Sequence, residues 1–212
     1  MPTIEGDRER CYRCYRPKSS CMCAYVRAIE TQTQFIILMH PKEFKKTKNG
    51  TGRLTHLSLP HSELFIGIDF SDNARINDII ATHESFILYP SRDAINLSRQ
   101  NPLDPNILHV KKPTAIFLID STWACSLKMM KESRNLHVLP HLSFDATKRS
   151  EFKIKEQPLP YCLSTIESAL RVLELLTQWH IETIAPAKLE AFLTPFHAMV
   201  DYQWERIAHL RT

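Results

Sequence analysis

Glycine is scarce in this chain. Four glycines in 212 residues form no G-x-G-x-x-G fingerprint and no Walker loop, so a Rossmann-type nucleotide site is not expected. Long apolar runs are lacking as well. None approaches the roughly 20 residues of a membrane span, and the amino terminus carries no signal-peptide core. The expectation is a cytoplasmic protein with no membrane partner. Charge of one sign is not in strong excess: 27 Lys and Arg against 23 Asp and Glu leave +4. So small a surplus makes the placement of the cations more informative than their sum. Repeats and low-complexity tracts are also missing. A hydrophobic content of 43% with 24% charged residues is ordinary for a globular chain with a substantial core. The length fits one domain with a small appendage, here 1–30 before a main body of 31–212.

The stretch around which the chain is organised is Ala115-Ile116-Phe117-Leu118-Ile119-Asp120-Ser121-Thr122-Trp123. Five apolar residues without alternation predict a strand buried on both faces. A helical pattern follows at once, over about 122–133. In an open α/β sheet, ligands bind beyond the carboxyl ends of the strands. That rule makes Asp120, with two hydroxyls and Trp123 after it, a candidate for chemistry. The same residues also suit a plain helix N-cap and a core aromatic.

Other strands are expected at Phe35–Met39, Leu64–Ile68, Ser85–Pro90 and Leu136–Pro140, and helices at Leu54–Leu59 and Ile76–Ala81. Asn101–Pro113 reads as a loop. Ser164 and Glu167 have capping-box spacing, ahead of an amphipathic helix with Ile166, Leu170, Leu173 and Leu176 on one face. Pro186 opens a last helical region that Pro195 kinks or splits. Alternation of this kind predicts a mostly parallel sheet with helices on its faces.

Four of the six cysteines, Cys11, Cys14, Cys21 and Cys23, fall in a C-x2-C-x6-C-x-C pattern. In a reducing compartment disulfides are a poor explanation, whereas four thiolates close a tetrahedral structural Zn2+ shell. A redox pair remains the other reading. Arg8, Arg10, Arg13, Arg16 and Lys18 interleave there with Tyr12 and Tyr15, a mix suited to phosphates and unpaired bases, or simply to a solvated tip. After His40-Pro41 runs the most basic loop, with Lys42, Lys45, Lys46, Lys48 and Arg53 around Glu43. A loop at a strand's carboxyl end is well placed to hold a phosphate backbone. The segment Lys148–Lys155 reads as an edge strand or a basic ligand loop, and the start of the Ser164 helix as a site for a carboxylate or phosphate.

Taken together, Cys11 to Cys23, His40-Pro41-Lys42-Glu43, Thr51-Gly52-Arg53-Leu54, Leu88-Tyr89-Pro90, Ile119-Asp120-Ser121-Thr122-Trp123 and Cys162-Leu163-Ser164-Thr165-Ile166-Glu167 resemble the DTW-domain family, the tRNA-uridine aminocarboxypropyltransferases. The pieces occur in the family's order across about 160 residues. Two differ from the usual pattern. Ser121 stands where the family has glycine, and Phe152-Lys153-Ile154-Lys155 stands where it has Tyr-Arg-x-Arg, losing a phenol and two guanidinium forks.

The resemblance implies a SPOUT-like α/β fold with a C-terminal trefoil knot, an exception to unknotted chains. It implies S-adenosylmethionine as donor, transfer of its 3-amino-3-carboxypropyl group to N3 of a tRNA uridine, and methylthioadenosine as by-product. Asp120, Thr122 and Trp123 would be catalytic. Leu88, Tyr89, Pro90, Ile119, Ser121, Ser164, Thr165 and Glu167 would hold the donor. His40, Lys42, Lys45, Lys46, Arg53, Arg13, Arg16, Lys153 and Lys155 would hold tRNA. The enzyme would act as a monomer or homodimer. Uracil N3 is a weak acid, and an ordinary Asp near 3.9 is a poor base for it, so Asp120 is either an environment-tuned base or an orienting group. Three rivals fit parts of the sequence: a methyltransferase using the same donor, a non-catalytic zinc-knuckle RNA binder, and a hydrolase using Asp120 with His40.

Overall fold

The computed structural model describes residues 9–45, 49–103, 112–145, 147–154 and 162–209. Its centre is a six-stranded, wholly parallel sheet, so both faces need cover and the strands run apolar without alternation. The strands are β1 (Gln34–Met39), β2 (Ser62–Ile66), β3 (Glu84–Leu88), β4 (Ile95–Asn96), β5 (Thr114–Asp120) and β6 (His141–Ser143), in the order β2-β1-β5-β3-β6-β4.

Between and after them lie α1 (Pro41–Lys45), α2 (Gly52–Ser58), α3 (Ala74–Thr82), α4 (Trp123–Glu132), α5 (Thr165–Gln178), α6 (Pro186–Ala191) and α7 (Thr194–His209). Alternate residues of the central strands serve opposite cores. Phe35, Ile37, Phe86, Ile116 and Leu118 pack with Leu54 of α2, Ile166, Leu173 and Leu176 of α5, and Phe196 of α7. Ile36, Leu38, Ile87 and Phe117 pack with Ile76 and Ile79 of α3 and Met129 of α4. Each such fully buried aliphatic or aromatic side chain contributes about 1.5–3 kcal/mol of transfer free energy. No described helix is long and apolar enough to cross a membrane.

Local chemistry explains several boundaries. Asn73 caps α3 by accepting the Ile76 N–H at 3.0 Å. The capping box ahead of α5 is present, with the Glu167 carboxylate receiving the Ser164 N–H at 2.8 Å. Pro195 sits in the first turn of α7, where its missing N–H costs nothing, so it starts a helix rather than kinking one. Three expectations shift. The apolar run Leu136–Leu139 is not a strand: a 3-10 turn at Arg134–Leu136 leads into it, and Leu136 and Leu139 anchor it in the core, while the strand is His141–Ser143. Strand β2 begins two residues earlier than its apolar pattern, and the basic stretch after His40 begins as the short helix α1.

Candidate functional site

The carboxyl ends of β1, β5 and β3 meet where the sequence places Asp120. The Asp120 carbonyl accepts the His40 N–H at 3.0 Å, closing the β1–β5 ladder, and Leu88 pairs with Leu118 one strand over. Beyond these ends opens a cavity of about 620 Å³, within the range of sites for small organic ligands. Of the residues expected there, Leu88, Tyr89, Pro90, Ile119, Asp120, Ser121, Thr122, Trp123, Ser164 and Thr165 all line it.

Asp120 is 5% exposed, and its Oδ1 accepts the Thr165 hydroxyl at 2.6 Å, joining the end of β5 to the start of α5. Behind the carboxyl lies Gly52. A Cβ there would fall 2.8 Å from Asp120 Cβ and overlap its carboxyl group, so only glycine leaves Asp120 its place. Ser121, in the position of the family glycine, is accommodated by donating its hydroxyl to the Thr122 carbonyl at 3.1 Å.

Trp123 is not a core residue. It is 46% exposed, at the first turn of α4, with its ring 6.5 Å from that of Tyr89, which meets His141 edge-on at 5.8 Å. The cavity therefore has apolar walls (Leu88, Leu118, Leu142), an acid at its base, and a large ring at its mouth. Walls of this kind suit an apolar or planar group, and an exposed ring suits stacking.

Other residues singled out in the sequence lie elsewhere. Glu167 does not line the cavity; its carboxylate receives hydrogen bonds from the Ser164 N–H and hydroxyl, the Glu151 N–H and the Ser150 hydroxyl. That set anchors the 147–154 loop, which is neither strand nor wholly exposed: Phe152 is buried against Phe196 and reaches the cavity, while Lys153 faces solvent. His40 is buried, its Nδ1 accepting the Lys42 N–H at 3.1 Å. Arg16 is 2% exposed, with its guanidinium on the Gly50 carbonyl and the Met199 sulfur, so it ties the knuckle to the Gly50 turn and to α7. Arg53 is half-buried, stacked 4.0 Å from the Tyr15 ring centroid and 5.1 Å from that of Phe44. Burial lowers its pKa, against the raising influence of Tyr15, Cys14 and Asp120.

Arg13, Lys42 and Lys45 are exposed and remain available to a polyanion; Lys46 and Lys155 lie outside the described residues. Glu43, Asn49 and Phe144 also stand in the cavity wall; Asn49 and Phe144 belong to no sequence motif, and Glu43 only to His40-Pro41-Lys42-Glu43. Gly52 was visible only as part of a motif.

The four cysteines converge. Cys11 and Cys23 Sγ atoms are 3.6 Å apart, Cys14 and Cys21 are 3.7 Å apart, and all four lie within 4.8 Å of one another. A tetrahedral ion with bonds of about 2.3 Å requires sulfurs about 3.8 Å apart, so the set could hold a metal ion. The Cys14 N–H, chief among several donors, holds the Cys11 thiol down to about 6, whereas burial pushes Cys21 and Cys23 up. Bound metal would settle all four as thiolates. All six cysteines of the chain are free.

A parallel α/β sheet with a cavity beyond its carboxyl ends and a separate four-thiol knuckle places the chain among the open-sheet α/β proteins. The DTW domain model matches residues 8–204, nearly the whole length, and the chain belongs to that family. It is 29% identical over 203 residues to tRNA-uridine aminocarboxypropyltransferase 2 of Drosophila melanogaster, covering 92% of this chain and 75% of the relative. The mouse (Mus musculus) protein of the same name is 29% identical over 218 residues, with 100% and 69% covered. The Arabidopsis thaliana tRNA-uridine aminocarboxypropyltransferase A is 27% identical over 191 residues, with 78% and 72% covered. No solved structure gives a significant match.

Proposed function

We propose that the chain transfers the 3-amino-3-carboxypropyl group of S-adenosylmethionine to N3 of a tRNA uridine, releasing methylthioadenosine. The names of its relatives support the reaction. The observation that carries it here is Asp120 at the base of a 620 Å³ cavity whose mouth holds the half-exposed ring of Trp123. In this reading the donor's adenosine lies along Leu88, Tyr89, Pro90 and Ile119, with Ser121, Ser164 and Thr165 supplying polar contacts. The target uracil leaves its stack and meets Trp123, since N3 lies on the pairing edge.

N3 gives up its proton, to the Asp120 carboxylate where that group is the base and otherwise to solvent, and its electron pair forms the new bond to the donor's γ-carbon. The carbon–sulfur bond breaks with its pair going to sulfur, which changes from sulfonium to neutral thioether. Positioning therefore decides the outcome, because the γ-carbon and not the methyl must face N3. Asp120 is the essential carboxylate, and Thr122 with Ser121 forms the turn that fixes it. Its two jobs separate in Asp120→Asn: loss of the acidic limb of the kcat/KM profile marks a base, and a raised donor KM marks an orienter. The knuckle holds zinc as structure, since the sulfonium already supplies the leaving group. Arg13, Lys42, Lys45 and Lys153, with Lys46 and Lys155, would track the tRNA backbone. The SPOUT-like assignment and its knot rest on the family resemblance, which the all-parallel sheet supports; a cytoplasmic site of action fits the free thiols.

The test supplies tRNA with donor labelled separately in the methyl and carboxypropyl carbons. The reading expects carboxypropyl label in RNA and methyl label in methylthioadenosine. Methyl label in RNA would make the protein a methyltransferase, and no transfer with no calorimetric donor binding would make it an RNA binder.

A further inference from the structure

Two adjacent knuckle residues grip a single turn of the main domain. Tyr15 directly follows Cys14, one of the four converging cysteines, and has φ +58°, a conformation that non-glycine residues rarely adopt. That backbone turns its ring onto the Arg53 guanidinium at 4.0 Å, while Phe44 approaches the same group at 5.1 Å and lies 5.9 Å from Tyr15. Arg16, next in the chain, extends its buried guanidinium to the Gly50 carbonyl at 3.4 Å. Gly50 and Arg53 flank Gly52, the residue pressed against the Asp120 carboxyl. Thr51, between them, is buried and lines the cavity.

The knuckle backbone is itself firmly set. The Cys11 N–H donates to the Arg16 carbonyl at 2.8 Å and the Tyr15 N–H to the Cys11 carbonyl at 2.7 Å, so the Cys11–Arg16 loop is closed at both ends. A loop closed by its own backbone hydrogen bonds thus holds the 50–53 turn from two sides.

We propose that Tyr15 and Arg16 are positioning residues which clamp the Gly50–Arg53 turn against Asp120, so that the four-cysteine knuckle serves the chemistry and not mainly the capture of RNA. The inference rests on the transfer reaction proposed above. It assigns the strained tyrosine a purpose, since its ring is engaged by Arg53 and is only 38% exposed, in contrast to Tyr12 at 91%. Strain of this sort persists where surrounding contacts over-determine it.

The experiment compares wild type with Tyr15→Leu, Tyr15→Phe and Tyr15→Gly, reading kcat, KM for tRNA, salt dependence and amide hydrogen exchange over residues 50–55. Leucine keeps apolar bulk but lacks a π-face for the guanidinium. The expected result is kcat lower by about 10- to 100-fold in Tyr15→Leu and Tyr15→Gly, as for a displaced catalytic group. With it come faster exchange over 50–55, unchanged tRNA KM and salt slope, and recovery in Tyr15→Phe. An RNA-contact role would instead raise tRNA KM and leave kcat and exchange alone, overturning the clamp. So would unchanged exchange with unchanged kcat. If wild type itself releases no methylthioadenosine, the reaction assignment fails, while exchange over 50–55 still decides the clamp. Should Tyr15→Gly fail to fold, the Leu and Phe pair carries the comparison.

Discussion

Asp120 and Glu167 are both buried acids, 5% and 6% exposed, placed near the starts of two helices that open on one cavity. Their surroundings differ. Glu167 receives four hydrogen bonds, from the Glu151 N–H, the Ser150 hydroxyl and the Ser164 N–H and hydroxyl, and does not itself line the cavity. Asp120 lines the cavity, receives the Thr165 hydroxyl, and has the bare Cα of Gly52 behind it. Burial alone therefore does not mark an acid as functional. A carboxylate saturated by its own protein is structure; one that faces a ligand-sized space is available for chemistry.

The sharpest way to break this comparison is to remove each acid. Asp120→Ala should lower methylthioadenosine release by about 10²- to 10⁴-fold, the scale of a lost acid–base or orienting group, with little change in Tm. Glu167→Ala should do the opposite, costing on the order of 3 kcal/mol in denaturant unfolding as its buried donors lose their acceptor. An Asp120 variant that unfolds while retaining turnover at low temperature would erase the distinction.

The same contrast divides the cations. Arg16→Ala should destabilise by about 2–4 kcal/mol, since it empties a buried site and frees the Gly50 carbonyl. Arg13→Ala, at an exposed position, should leave Tm unchanged and reduce the salt slope of tRNA binding by about 1. Equal effects would show that burial does not sort them.

The smallest effect is electrostatic. Burial, with Arg53 nearby as a second influence, lowers the His56 pKa in the folded protein, and its Nδ1 pairs with the Ser62 hydroxyl at 2.7 Å. The folded state thus favours neutral imidazole. This contribution to stability is whole above the unfolded value of about 6.5 and is lost as pH falls through the lower folded value. Urea unfolding of His56→Gln should show a weaker fall in stability below about pH 6 than wild type.

The central strands were legible because a parallel strand buried on both faces leaves an unbroken apolar run, as at Phe35–Met39 and Ala115–Ile119. The α5 cap was legible because a capping box has a fixed spacing, and the cysteine cluster because ligand spacing constrains the chain. Strand β6 was not, since His141-Leu142-Ser143 is short and polar while the neighbouring apolar run is a turn anchored by Leu136 and Leu139. Nor could spacing reveal that Arg16 turns inward or that Glu167 serves a distant loop. Such partners lie 16 to 183 residues away, and only the fold brings them together.

The most direct test is mass spectrometry of nucleosides from tRNA incubated with S-adenosylmethionine and either wild type or Asp120→Asn. The account predicts a uridine heavier by one aminocarboxypropyl group with wild type, matched by methylthioadenosine, and almost none of either with Asp120→Asn. Full modification by the Asn variant, or a methylated nucleoside with S-adenosylhomocysteine from wild type, would contradict it.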